Sequence, residues 1–287
     1  MDSYLERLAA RSASTGTVLC IGIDPVGEGL PAGFGSGIVG VERFARLLID
    51  VTAPFAAAFK PNLAFFEAYG SAGLAALERL RAAIPPGVPV VLDAKRGDVE
   101  STTARQAVAL YDALGADAIT VNPYLGLGAL EPFLARDGRF AYVLCRTSNA
   151  GAGEFQDLAV AADPALGAPQ EPLHRRVARR VAAAGLGERA GLVVGATAPA
   201  ELASIRDLVP GIAFLVPGVG AQGGDAVAVR TAGVAREAPA GGRPGGGLLV
   251  NVSRGITSAA AGEGIGDPAD RLSEAASKWA ATLPVVP

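Results

Sequence analysis

Short apolar runs alternate along the chain with longer segments of helical periodicity, and this alternation constrains the fold most. The apolar runs are residues 17–23, 55–60, 88–95, 118–122, 140–145, 192–195, 213–217 and 248–252. The helical segments are residues 41–51, 63–83, 102–114, 127–136, 173–184, 199–208, 225–235 and 268–283. Strands that are apolar on both faces are typical of a parallel sheet covered by helices.

The number of these units favours a closed sheet over an open one. Eight β/α units in 287 residues predict an α/β fold, a (β/α)8 TIM barrel, formed as a single domain over residues 1–287. An open, doubly wound sheet is the alternative. In a barrel, the long connections at residues 25–40 and 150–172 leave the C-terminal ends of strands, where such enzymes place their sites.

Composition excludes several classes of function. Half of the residues are hydrophobic, 18% are charged and the formal net charge is −3, which argues against a nucleic-acid-binding surface with its basic excess. The first residues form an amphipathic pattern without the apolar core of a signal peptide, and no apolar stretch approaches the length of a membrane span. Cys20 and Cys145 lie in apolar runs, so we predict two buried free thiols in a reducing cytoplasm, with a disulfide or a catalytic thiol as the alternative.

Lysine is rare in this chain. Of 25 lysines and arginines only three are lysines, Lys60, Lys95 and Lys278. An amine can release its proton where a guanidinium cannot, so a lysine kept in an arginine-rich sequence indicates chemistry. Lys278 lies in a helical pattern typical of the surface, whereas Lys60 and Lys95 both end apolar runs. Lys60 and Lys95 are therefore the candidate functional lysines.

Polar side chains follow most of the predicted strands at the point where each strand ends. They are Asp24, Lys60, Asn62, Asp93, Lys95, Asn122, Arg146, Ser148, Ser253 and Arg254. In a barrel these positions share one face and are typical of catalysis or ligand binding. Helix capping and loop solvation are the alternative explanation for any one of them.

The segment VVLDAKRGDVESTT holds the highest density of such residues. Asp93 and Lys95 are two apart on a predicted strand and are expected to share a face, while Asp98 lies beyond the strand. Together with Lys60 they predict an alternating array of charges in which the carboxylates hold Lys95 protonated and in place. A purely structural salt-bridge network is the alternative.

These residues resemble the signature of the orotidine 5′-phosphate decarboxylase family. DAKRGD at residues 93–98, followed by Thr102, fits the pattern Asp-x-Lys-x-x-Asp-(Ile/Val)-x-x-Thr. Further segments resemble the family in order: IGIDP (21–25), FKPNLAFFE (59–67), CRTSN (145–149), PGVGAQGGD (217–225) and NVSRGI (251–256). The chain length and FKPN resemble the longer bacterial subgroup. Glu100 departs from the small residue usual at that position.

The resemblance implies a cofactor-free decarboxylation of orotidine 5′-phosphate to UMP and CO2, the last step of de novo UMP synthesis. Loss of CO2 leaves a carbanion at C6 with no adjacent carbonyl, so preorganised charge must lower the barrier. By the same resemblance, Asp24 bonds the ribose with Lys60 nearby, Asp93 lies beside the departing carboxylate, and Lys95 delivers a proton to C6.

The remaining roles that the resemblance implies concern binding and assembly. Asp98 and Thr102 reach into the site of a partner subunit, which makes the enzyme a homodimer with shared sites. Ser148 bonds the amide edge of the pyrimidine, Gln222 bridges base and phosphate from a closing loop, and Arg254 binds the phosphate.

Alternative functions stay open at this point. Residues 218–223 match G-x-G-x-x-G, but they follow the seventh strand, and the next strand ends without an acidic residue for a ribose. The only histidine, His174, is expected on a helix surface, which removes histidine triads and histidine metal clusters. The rivals are a metal-dependent sugar-phosphate lyase or epimerase, a Schiff-base aldolase, and a phosphosugar-binding protein without activity.

Overall fold

The computed structural model describes residues 2–220, 223–237, 243–261 and 267–286. Within them, eight parallel strands form one sheet in the order β2-β1-β8-β7-β6-β5-β4-β3. The strands are β1 Leu19–Ile23, β2 Ala58–Pro61, β3 Val91–Arg96, β4 Ala118–Val121, β5 Phe140–Arg146, β6 Ala190–Val194, β7 Phe214–Pro217 and β8 Leu248–Val252. Parallel bridges from Phe59 to Val90 and from Asn62 to Asp93 join β2 to β3. The sheet is therefore closed, which confirms the predicted barrel and removes the doubly wound alternative.

Helices surround the barrel. They are α1 Tyr4–Thr15, α2 Gly37–Thr52, α3 Leu63–Glu67, α4 Gly70–Ala83, α5 Glu100–Ala107, α6 Glu131–Leu134, α7 Gly153–Gln156, α8 Leu173–Ala183, α9 Pro199–Leu208, α10 Ala226–Gly233, α11 Arg254–Ala261 and α12 Pro268–Thr282. A two-residue antiparallel pairing of Ala159–Val160 with Glu171–Pro172 lies in the connection after β5. None of the helices in the described ranges is long and apolar enough to cross a membrane.

Two helical predictions differ from the structure. The segment predicted as one helix over residues 63–83 is divided into α3 and α4, because Gly70 has a left-handed φ of 61° that interrupts the helical backbone. The segment predicted over residues 102–114 begins as α5 and continues as the π-helical turn Val108–Ala113. A π-helical turn accommodates one extra residue, which rotates the following side chains around the helix axis without ending the helix.

Two apolar layers hold the barrel together. The outer faces of the strands pack on the helices through buried residues such as Ile21, Phe59 and Leu92. The inner layer fills the N-terminal half of the barrel and includes Tyr142 and Leu215. Helix α1 closes this end with the buried side chains Tyr4, Leu5 and Leu8.

Inward-facing positions change from apolar to polar along the strands. On β1 and its end, Cys20 belongs to the inner layer while Asp24, four residues later, is half-buried and polar. On β2, Ala58 is followed by Lys60, and on β3, Val91 is followed by Asp93. Because side chains along a strand alternate between its two faces, the apolar residues and the polar residues that follow them lie on the same inner face of the barrel. The polar half lies at the C-terminal face of the barrel.

Candidate active site

The buried lysine and the Asp93–Lys95 pair meet at the C-terminal face. Lys60 Nζ lies 2.9 Å from Asp93 Oδ2, and Lys95 Nζ lies 2.6 Å from Asp93 Oδ1. The side chains of Lys60 and Asp93 are 4% and 13% exposed, whereas that of Lys95 is 50% exposed. One carboxylate thus joins two ammonium groups, of which only Lys95 is open to a ligand.

Charge pairing outweighs burial in this group. Desolvation alone would lower the pKa of Lys60, but the carboxylates of Asp93 and Asp24 raise it, and the net pKa lies above its usual value. Desolvation alone would likewise raise the pKa of Asp93, but Lys60 and Lys95 bring it well below its ordinary range. Both groups are therefore charged at neutral pH.

Thr120 of β4 fixes this carboxylate and is not among the residues that the sequence predicts for the site. Its hydroxyl donates to Asp93 Oδ1 at 2.9 Å and accepts from the main-chain N–H groups of Ala94 and Lys95 at 3.0 and 2.9 Å. These three bonds fill the one donor and two acceptor positions of the hydroxyl group. The available signal was its inward position on β4, two residues before Asn122 at the strand end.

The backbone at Lys95 is not regular strand. Lys95 has φ 48°, the only described residue other than glycine with positive φ, and the β3–β4 register shifts between Leu92 and Arg96. Regular alternation was the reason to expect Asp93 and Lys95 on one face. The structure does bring them together, but through a bulge that redirects Lys95 toward Asp93. A non-glycine residue in this region of φ is typical of functional sites.

Asp98 and Thr102 lie outside this group within the chain. The Asp98 carboxylate accepts a hydrogen bond from the N–H of Val99 at 2.7 Å, and its main-chain carbonyl accepts from Thr103. Thr102 is exposed and lines an outer groove of about 450 Å³ with Glu67 and Arg96. Within one chain the predicted array is therefore a Lys–Asp–Lys group, without the second carboxylate.

Asp24 follows β1 on the same face. Its Oδ2 accepts a hydrogen bond from the Ser253 hydroxyl at 2.7 Å, and Asn251 Nδ2 donates to the same hydroxyl at 3.3 Å. Asp24 contributes to the raised pKa of Lys60. The structure thereby joins the ends of β1, β2 and β8 into one polar group.

The half-buried Ser148 lies in a connection held by several polar contacts. The Gln156 side chain accepts from Thr147 N–H at 2.8 Å and donates to the Thr147 hydroxyl at 2.9 Å.

The prediction of a surface His174 is wrong: its side chain is 4% exposed, and Nδ1 lies 2.9 Å from the Gln156 carbonyl and 3.2 Å from Asp157 Oδ1. The long connection folds back over α8 and buries the imidazole.

Of the two residues predicted to contact the phosphate, Arg254 comes directly after Ser253, whose hydroxyl bonds Asp24. Arg254 is exposed and begins α11, while Gln222 lies outside the described residues. Gly218 and Gly220, with φ 97° and 79°, turn the chain after β7. Because this glycine segment connects β7 to α10 of a closed barrel, it does not open the βαβ unit that a dinucleotide site needs.

Metal-ligating side chains do not gather in the described part of the chain: no group of three or more His, Cys, Asp or Glu is placed there to hold an ion. Cys20 and Cys145 are both buried and free, as predicted. Burial raises the pKa of each thiol to about 12. Neither thiol is therefore a nucleophile at neutral pH.

A closed (β/α)8 barrel with a lysine–aspartate–lysine group at its C-terminal face defines a class, the TIM-barrel enzymes. The sequence profile of the orotidine 5′-phosphate decarboxylase / HUMPS family matches residues 17–264. The chain belongs to this family, which confirms the resemblance found in the sequence.

Individual relatives agree with the family match. The chain is 47% identical to the orotidine 5′-phosphate decarboxylase of Thermomicrobium roseum over 258 residues, 88% of this chain and 86% of that protein. The structure of Leishmania donovani OMP decarboxylase is 35% identical with a TM-score of 0.79, covering 98% of this chain and 99% of that one. Leishmania donovani UMP synthase is 37% identical with a TM-score of 0.82, and this chain covers 57% of it.

Proposed function

We propose that this chain decarboxylates orotidine 5′-phosphate to UMP and CO2, the last step of de novo UMP synthesis. The observation that carries the proposal is the Lys60–Asp93–Lys95 group, in which a buried carboxylate orients an exposed ammonium at 2.6 Å. The names of the curated relatives support the same activity. They give no support to the rival, a metal-dependent sugar-phosphate lyase or epimerase.

The proposed reaction has one bond broken and one formed. The bond between C6 and the carboxylate carbon breaks, CO2 leaves, and the electron pair stays at C6. The Lys95 ammonium donates its proton to C6, which gives UMP, and the amine regains a proton from solvent. No cofactor takes part in this proposal.

Fixed charges lower the barrier in this scheme. Asp93 lies where the substrate carboxylate must approach Lys95, so it opposes the ground state, while Lys95 stabilises the negative charge that develops at C6. The structure supports this division of roles, because Lys60 and Thr120 hold Asp93 ionised and in place. A preorganised site of this kind needs no reorganisation during the reaction.

We propose substrate contacts for the surrounding residues. Asp24 bonds the ribose, and Ser148 bonds the amide edge of the pyrimidine. Arg254 binds the phosphate; it is exposed and stands at the N-terminus of α11, where an anion is favoured. Gln222 bridges base and phosphate. Binding the remote phosphate supplies free energy that the reacting centre can use.

We also propose a homodimer in which Asp98 and Thr102 complete the partner's site. Two observations support it. Asp98 forms no ion pair or hydrogen bond with Lys95 of its own chain within the described residues, although the two are three positions apart. Val99, which follows Asp98, and Tyr124 and Leu125, which follow β4, are 57%, 87% and 49% exposed, and exposed apolar side chains are typical of interfaces.

The proposal extends to organisation and compartment. We propose that residues 1–287 form one barrel domain, since strands from both ends of the chain, β1 and β8, pair with each other. We place the enzyme in the cytoplasm, because its two buried cysteines are free thiols, which a reducing compartment preserves.

The loss of orotidine 5′-phosphate absorbance on adding purified protein tests the function. We expect full turnover in EDTA, with UMP as the product. Activity that appears only after a divalent metal is restored would favour the lyase or epimerase. A covalent adduct trapped by borohydride would favour the Schiff-base aldolase. Binding of UMP without turnover would identify a phosphosugar-binding protein.

A further inference from the structure

A serine hydroxyl joins the ends of the first and last strands of the barrel. Ser253 Oγ donates to Asp24 Oδ2 at 2.7 Å and accepts from Asn251 Nδ2 at 3.3 Å. Asn251 is 8% exposed, and β8 pairs with β1 through Ile21 and Val252. A hydrogen bond to an ionised acceptor is among the stronger ones in proteins. The Ser253 hydroxyl therefore engages one of the two oxygens of the Asp24 carboxylate, Oδ2, in a hydrogen bond within the protein.

Gly22 leaves room for this hydroxyl. A Cβ placed on Gly22 would overlap Ser253 Oγ, would lie 2.8 Å from Ser253 Cβ and would lie 3.2 Å from Asp24 Oδ2. Gly22 does not have a positive φ, so its backbone conformation does not require glycine. The missing side chain is needed for space, and the space is filled by the contact between Ser253 and Asp24.

The other oxygen of Asp24 has no hydrogen-bond partner in the part of the chain that the structure describes. Asp24 Oδ1 is buried and accepts no hydrogen bond within the described residues, and the same is true of Asn251 Oδ1. Buried acceptors are normally paired, and leaving one unpaired is unfavourable. A hydroxyl group is a donor of suitable size, and the proposed function places the ribose at Asp24.

We propose that Ser253 is a positioning residue that holds Oδ2 of Asp24 so that Oδ1 faces the ribose hydroxyls, and that it thereby determines selectivity for ribonucleotides over deoxyribonucleotides. Gly22 makes the arrangement possible. This inference rests on the proposed function. Without the Ser253 hydroxyl the carboxylate is free to rotate, and its preference for a ligand hydroxyl falls.

Binding of UMP, 2′-deoxy-UMP and 3′-deoxy-UMP by isothermal titration calorimetry tests the proposal. In the wild type we expect at least one deoxy analogue to bind more weakly than UMP. In Ser253→Ala, UMP should weaken about tenfold, the scale of one hydrogen bond to a charged group, while that analogue changes by less than about twofold. The matched control is Ser258→Ala, an exposed serine of α11, which should change none of the three.

Two further variants separate positioning from a general structural role. Gly22→Ala should reproduce the Ser253→Ala pattern, and it also serves if Ser253→Ala does not fold. Its control is Gly128→Ala, where an added Cβ meets no atom within 4 Å. In an Asp24→Ala background, Ser253→Ala should have no further effect on the Kd of UMP, because residues that act through one another are not additive.

Several results would overturn the proposal. They are equal affinity of the wild type for UMP and both deoxy analogues, equal weakening of all three ligands in Ser253→Ala, and an undiminished effect of Ser253→Ala in the Asp24→Ala background. Failure of the proposed function is distinguishable, since the wild type would then not consume orotidine 5′-phosphate, whether or not it binds UMP.

Discussion

Replacement of Thr120 by valine tests how the reactive carboxylate is held. Valine keeps the shape and the β-branch of threonine but removes the hydroxyl. That hydroxyl donates to Asp93 Oδ1 and accepts from the N–H groups of Ala94 and Lys95. The substitution therefore deletes one hydrogen bond to a charged acceptor and leaves two main-chain donors without their partner.

The size of the effect follows from those three bonds. A hydrogen bond to a charged group contributes about 1.5–3 kcal/mol, and an unpaired buried donor costs about 1–3 kcal/mol. Because Lys95 is partly exposed, we take the lower limit of each range, for one lost bond and two unpaired donors, and expect Thr120→Val to lower the free energy of unfolding by about 3.5 kcal/mol. Misplacement of Asp93 and Lys95 should also lower kcat by about tenfold to a hundredfold.

Urea unfolding at one fixed protein concentration measures the first effect, and steady-state turnover measures the second. Thr231→Val is the control, since Thr231 is exposed on α10 and its hydroxyl bonds only the Val227 carbonyl, at 2.9 Å. It should shift stability by less than about 0.5 kcal/mol. If Thr120→Val matched this control in both stability and kcat, the inference that Thr120 holds the carboxylate would be refuted.

Two further predictions concern site sharing and pH. Mixing inactive Asp98→Ala and Lys95→Ala subunits should restore about a quarter of wild-type activity, because half of the random dimers are hybrids and each holds one intact site; hybrids that form but stay inactive would exclude a shared site. The folded-state pKa of Asp93 is depressed, so its stabilisation is complete well above the unfolded value of about 3.9 and is lost as pH falls below it. In urea titrations the stability difference between wild type and Asp93→Asn should therefore shrink from pH 6 toward pH 3, and a constant difference would contradict the assigned charge.

The barrel was predictable because its signal is local and repeated. Each predicted strand overlaps an observed one, and the run at residues 248–252 coincides with β8. Apolar periodicity reports burial on both faces directly, without knowledge of the partner strand. Closure followed from the number of units, since the eight-stranded barrel is the stable arrangement of eight successive β/α units.

Features that depend on distant contacts were not predictable. The start of the chain has an amphipathic pattern, but nothing local indicates that Tyr4 stacks on Phe140 with ring centroids 4.9 Å apart and closes the barrel. His174 is buried because Gln156 and Asp157, which are distant from it in sequence, cover it in the fold. Its helical pattern alone indicated a surface position.

The charged residues of the candidate site were predictable from the sequence. The hydroxyl group and the backbone conformation that hold them in place were not. Lys60, Asp93 and Lys95 stood out because charge at the end of an apolar strand is unfavourable unless paired. Thr120 did not, since a threonine in a strand is ordinary. The positive φ of Lys95 arises from the local β3–β4 register, which a sequence pattern does not specify.

Turnover and UMP binding of Lys95→Ala, measured beside Lys278→Ala, test the central claim most directly. Lys278 is a 72% exposed surface lysine paired with Glu274, so its removal controls for the loss of a positive charge. We expect Lys95→Ala to lose at least about a thousandfold in kcat, as removal of a general acid and charge stabiliser implies, while it still binds UMP and Lys278→Ala stays at wild-type activity. Near-normal turnover of Lys95→Ala would contradict the account.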